Sequence, residues 1–140
     1  MKAISLIQPW AELVVLGAKE YETRSWHTYH RGKILIHASK STESIHHVIM
    51  LHFDKFIKSS VDLTYGAIIG ECLIRSCERT TDIKREISDQ EKTFGDYSAG
   101  RWAWRLTNAF KYKTPIPYRG FPGLWDFPNE ILVNHKILHA

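Results

Sequence analysis

A chain of 140 residues with 44% apolar and 24% charged side chains has the composition of one ordinary globular domain, large enough to bury a core without staples. The formal charge of +4, with eight histidines uncounted, and a pI of about 9.1 favour a polyanionic partner without demanding one. No apolar run is long enough to span a bilayer and no secretory leader is read, so the expectation is a cytoplasmic protein with no membrane role.

Residues 1–140 read as a single domain, without repeat, low-complexity stretch or linker. Lys2 to Ile7 alternates weakly and suggests a first strand, after which Pro9 suits the first position of a helix in PWAELVVLG that Gly17 stops. Lys19 to Trp26 alternates and contains Tyr21 and Thr23, which predicts a strand; a YHRG connection leads to a further strand in KILIHAS, with Ile34 and Ile36 facing one way. In STESIHHVIMLHFDKFIKSS, Ser41 or Thr42 can cap a helix whose Ile45, Val48, Ile49, Phe53, Phe56 and Ile57 recur at helical spacing.

A long strand follows from Gly66 to about Arg79. Cys72 and Cys77 both lie on it, and five strand residues separate them by roughly 16 Å, too far for a disulfide; two reduced, structural thiols are expected. Thr80 to Gly100 is polar and charged, with a short helix predicted around Ser88–Lys92. RWAWRLTNAFKY resumes strand character with Trp102, Trp104 and Leu106 on one face, and PIPYRGFPGLW is read as extended chain and turns. Five or six strands with two main helices, joined by several connections too short for helical crossovers, give an α+β fold with a barrel-like sheet.

The segment GAKEYETRSW concentrates the chemistry. If Glu22 and Arg24 share a strand they share a face, and Lys19, just after the glycine turn, is free of that parity and can swing to the same side. The alternative is a solvated strand whose charges make weak surface pairs. A lysine there offers a point charge to phosphate or a developing oxyanion, an arginine a planar fork, and a carboxylate can orient either, accept from an exocyclic amine or act as a base.

With LIQPWAELVVLG before it and W-x4-RGKILIHAS after it, this segment resembles the ASCH domain family, whose signature G-x-K-x-x-E-x-R is matched by Gly17, Lys19, Glu22 and Arg24. The similarity continues through GAIIGECLI, the W-x-W-R-L of Trp102–Leu106 and PIPYRGFPGLW, and so covers most of the chain. The resemblance implies a PUA-like small mixed β-barrel with helices packed around it, and a cleft lined by the signature residues that receives RNA or a modified nucleobase. Some members remove the acetyl group of N4-acetylcytidine with a lysine, a threonine and a glutamate; here Glu22 stands at the threonine position, so only Lys19 carries over. The expected function is therefore binding of RNA or another single-stranded nucleic acid, or of a modified nucleoside. The alternative is a small hydrolase, amidohydrolase or ribonuclease in type, with Lys19 and Glu22 as its catalytic pair.

Further ligand contacts are expected from aromatic and basic residues that keep company, since such pairs stack bases and hold phosphates. Trp10, Trp26 and Trp104 are the aromatic candidates, against the usual burial of tryptophan in cores. Ser98 and Arg101, in the glycine-containing FGDYSAGRW, can present backbone N–H groups to phosphate. His27-x2-His30 and His46-His47-x4-His52 lack a matching ligand set, so neither a metal nor a cofactor is expected. No obligate protein partner is identifiable.

Overall fold

Ile34, Leu35 and Ile36 are consecutive, not alternating with polar residues, and all three are buried, the pattern of a strand covered on both faces. The computed structural model, which describes residues 1–42, 55–57 and 63–139, places them in the interior of a sheet. In chain order the elements are β1 (Lys2–Leu6), α1 (Trp10–Val15), β2 (Tyr21–Arg24), β3 (Gly32–Ala38), β4 (Ala67–Arg79), α2 (Thr80–Ile83), a 3-10 turn (Lys84–Glu86), α3 (Asp89–Thr93), β5 (Trp102–Pro117), β6 (Leu124–Asp126) and α4 (Asn129–Leu138). The six strands run in the order β2-β5-β4-β3-β1-β6. β1 and β3 are parallel, and every other neighbouring pair is antiparallel. The sheet curls into a half-barrel, which is why Arg24 on β2 can donate to the carbonyl of Ser5 on β1, although three strands stand between them in the sheet order.

Because side chains alternate along a strand, the sheet builds a core on each face. Ile34 and Ile36 pack inside the curl with Ile4, Leu6, Ile74, Trp104 and the Val14 and Val15 side chains of α1. Leu35 faces the other way, into a second core with Ile68, Trp125, Phe127 and Leu132 of α4. Six residues are too few for a helix to persist alone, so α1 is held by burial of Leu13, Val14 and Val15. Its start departs from expectation: Pro9 stands at the cap position, and the buried Gln8 side chain accepts from Glu12 N–H at 2.9 Å and donates to Thr64 O at 2.9 Å. Its end is as expected. Gly17 adopts φ +77°, and Ala18 and Lys19 both donate to Leu13 O at 3.0 Å, which turns the chain towards β2.

The strand and turn expectations up to Arg79 hold within a residue or two, and the short helix after Ser88 is present, with Ser88 Oγ accepting from Glu91 N–H at 3.1 Å. Most of the helix expected over residues 41–60 lies outside the described residues. PIPYRGFPGLW is extended chain and turns as expected: residues up to Pro117 continue β5, and Leu124–Asp126 form β6. Asn129–Leu138 is a helix that the apolar pattern conceals, since Leu132 is buried while Val133, Ile137 and Leu138 are exposed.

Gly70 marks where α1 lies closest to the sheet. A Cβ there would stand 2.3 Å from Phe110 O and 2.7 Å from Val15 Cγ1, beside shifts of register between β4 and β5. Gly70→Ala is therefore expected to destabilise the fold by about 1–3 kcal/mol through overpacking. Urea denaturation checks this, and an unchanged midpoint would refute the tight contact.

Candidate functional site

The turn at Gly17 delivers Lys19 to the side of β2 on which Glu22 and Arg24 emerge. Only 2% of Lys19 is exposed. Its ammonium donates to the carbonyl of Tyr21, stands 3.6 Å from Glu22 Oε1 and lies 5.9 Å from the centre of the Trp10 ring. Arg24 approaches the same carboxylate from the other side: Nε donates to Glu22 Oε2 at 2.8 Å, and Nη2 donates to Ser5 O at 3.2 Å. The three signature side chains thus converge on one carboxylate, with Trp10 as a wall. A lysine this deeply covered holds its place by charge pairing, while Arg24 is partly exposed.

The other expected ligand residues are placed differently. Trp104 is 1% exposed and packs edge-on against Trp26 with ring centres 4.8 Å apart, so both belong to the inner core or its margin. Trp104 Nε1 is buried without a hydrogen-bond partner. Ser98 and Arg101 meet the strand at Thr23, whose side chain points away from Glu22 and Arg24. Thr23 Oγ1 accepts from Asp96 N–H at 3.1 Å, and Arg101 donates to Thr23 O at 3.1 Å and to Asp96 O at 3.1 Å. Ser98 N–H is taken by Asp96 Oδ1 at 3.0 Å. The loop carrying Ser98 and Arg101 is thereby tied to β2, on the face opposite the signature carboxylate.

Sequence reasoning missed Glu91. Ser88-x-x-Glu91 has the spacing of a capping box, which points the glutamate back at its own helix; instead its Oε1 accepts from Glu20 N–H at 2.7 Å, one residue from Lys19. Burial pushes the Glu91 carboxyl above the ordinary carboxylate range, against the lowering effects of the Glu20 hydrogen bond and the Lys19 charge. Also missed was a cavity of about 550 Å³ lined by Ser5, the residue whose carbonyl accepts from Arg24. Ser5 and His37 line it from the strands, and Ser39, Lys40, Arg119 and Phe121 from the loops. These residues come from three separated segments, and no local spacing joins them.

Among the described residues no group of three or more His, Cys, Asp or Glu is placed to hold a metal ion; His46, His47 and His52 lie outside those residues. No described helix is long and apolar enough to cross a membrane.

Residues 4–116 match the ASCH domain family. Activating signal cointegrator 1 of Homo sapiens is 27% identical over 134 residues, which make up 91% of this chain and 22% of that protein. Its Mus musculus counterpart is 25% identical over 130 residues, with the same coverage. This chain thus spans under a quarter of the length of these relatives. The crystal structure of an ASCH protein from Zymomonas mobilis superposes with a TM-score of 0.62 over 99% of this chain and 95% of that one, at 16% identity. A variant of that protein gives 0.63 over 99% and 98%, at 14% identity. At such identities the likeness establishes the fold.

Two outcomes follow from the buried charges. Glu22→Gln strands the Lys19 ammonium without its countercharge, whereas Lys19→Met leaves Glu22 its Arg24 partner. Glu22→Gln is therefore expected to cost about 3–5 kcal/mol and Lys19→Met clearly less, read from urea midpoints; equal costs would contradict the arrangement. Glu91 sets a pH dependence. The folded chain holds the Glu91 proton at a pH where the unfolded chain has lost it, so the cost of burying this carboxylate is present at neutral pH and shrinks on acidification towards about 4.5. The stability difference between parent and Glu91→Gln should shift in the parent's favour as pH falls, and a pH-independent difference would count against the burial argument.

Proposed function

Because the chain belongs to the ASCH domain family, we propose that it binds single-stranded nucleic acid, RNA foremost, across the end of the half-barrel where Arg24 meets Ser5. The observation that carries this reading is the charge of the adjoining cavity: its charged lining residues, Lys40 and Arg119, are both basic, and none of its described lining residues is acidic. Arg24 donates to the carbonyl of Ser5, a residue that lines the cavity. A phosphodiester backbone crossing this surface meets cations at its rim and an aromatic side chain, Phe121, within it. The free thiols of Cys72 and Cys77 fit a reducing compartment, and we include a cytoplasmic location in the proposal.

The hydrolase reading, on RNA or on a modified nucleoside such as N4-acetylcytidine, draws on the 3.6 Å approach of Lys19 to Glu22. It is the weaker reading. Both Glu22 oxygens are engaged by cations, and Lys19 is turned to a backbone carbonyl, so neither group stands ready as base or nucleophile.

Titration of the parent with a fluorescent single-stranded RNA oligomer tests the binding reading. Affinity should fall steeply between about 50 and 200 mM salt, and Lys40→Ala and Arg119→Ala should each make the salt slope shallower by about 0.7. The matching DNA oligomer serves as the comparison. Absence of RNA binding at the lowest salt would remove the proposal.

A further inference from the structure

We propose that the cavity beside Ser5 and His37 is a pocket for one unpaired nucleotide of the bound strand, its base stacked on Phe121 and its phosphate held by Arg119 and Lys40. The proposal rests on the nucleic-acid reading above and deepens it, using residues none of which belongs to the signature. A volume of about 550 Å³ lies within the range of small-ligand sites and takes a nucleotide. Phe121 is 44% exposed, backed edge-on by Trp125 at 5.3 Å between ring centres. The Arg119 guanidinium sits 5.6 Å from the centre of the Phe121 ring. A base takes the place of that guanidinium over the ring, and Arg119 turns to the phosphate, both contacts being independent of base identity.

The floor of the cavity is polar and its hydrogen-bond directions are fixed. His37, 2% exposed, directs Nε2 at Tyr118 O at 2.8 Å; a carbonyl only accepts, so Nε2 carries the proton. Burial lowers the His37 pKa, opposed by that hydrogen bond, and keeps the ring neutral near pH 7. Its Nδ1 therefore accepts from the Ser5 hydroxyl at 3.0 Å, and that hydroxyl in turn accepts from Trp125 Nε1 at 3.2 Å. One lone pair of Ser5 Oγ is left over as an acceptor for an N–H of the base.

Gly120 permits this construction. A Cβ there would stand 2.6 Å from His37 Cε1 and 2.7 Å from Ser5 Oγ, so only glycine lets the loop bearing Arg119 and Phe121 lie directly on the floor.

The test moves a single abasic site along a short single-stranded RNA and measures affinity for the parent, Phe121→Ala and Phe121→Leu. Phe121→Leu keeps apolar packing on Trp125, so a folding defect in the alanine variant does not hide the answer. In the parent, one position should lose about 5- to 50-fold in affinity when its base is removed, and in the variants that loss should shrink to about two-fold or less. A flat scan in the parent with salt-sensitive binding intact would overturn the pocket and leave the binding reading standing, and so would an undiminished loss in both variants. Failure of the parent to bind any RNA would overturn both together.

Discussion

The Glu22 carboxylate is the charge around which the end of the half-barrel is organised. It offsets the ammonium of Lys19, which the fold has removed from water, and it orients Arg24, whose second donor reaches across to β1. Removing any member leaves the others worse placed, since a covered charge without its partner is among the costliest defects a domain can carry. The spacing of the signature follows from this geometry. Period two puts Glu22 and Arg24 side by side on the strand, and the glycine turn lets a residue outside that alternation reach the same carboxylate. Position 24 suits arginine because one planar group donates from two nitrogens to acceptors on different strands, which a lysine ammonium, a point charge on a flexible stem, does less specifically.

This arrangement separates two roles that sequence alone runs together. Lys19 and Glu22 act inwards, fixing β2 against α1 and the loop after it. Arg24 stands at the boundary, tied to Glu22 and Ser5 and partly exposed. The basic and aromatic groups suited to a polyanion lie beyond it, on the loops after β3 and β5, where they are free of the packing that confines Trp26 and Trp104.

How much was legible depended on whether the decisive contacts were local. The shared face of Ile34 and Ile36, the glycine stop of α1, the shared face of Glu22 and Arg24 and the short helix around Ser88–Lys92 all follow from neighbours in sequence and could be read there. The burial of Lys19 could not, because it is imposed by Trp10 and by packing from distant segments. Pro115 and Pro117 ruled out a helix and left extended chain or turn; β2 pairs only with residues 102–105 of β5, and the last bond on that side runs from Leu106 N–H to Glu20 O, so the stretch holding the two prolines has β4 as its neighbour among the described strands and tolerates proline on its other edge. The cavity was hidden for another reason: Ser5 and His37 sit in segments whose apolar neighbours dominate the pattern, and Arg119 and Phe121 follow in a stretch that reads as extended chain and turns.

The order of the strands also has a temporal side. β1, the first of the six strands in chain order, takes β3 as one neighbour and β6 as the other, with Lys2 opposite Asp126. A nascent chain that has emerged only through β5 therefore presents one whole edge of β1 unpaired, an open template for another chain. The parallel β1–β3 pair and the late arrival of β6 make contacts of long sequence separation, which slow the search for the native arrangement. For this domain the exposure of that edge ends only when Leu124–Asp126 pairs with β1.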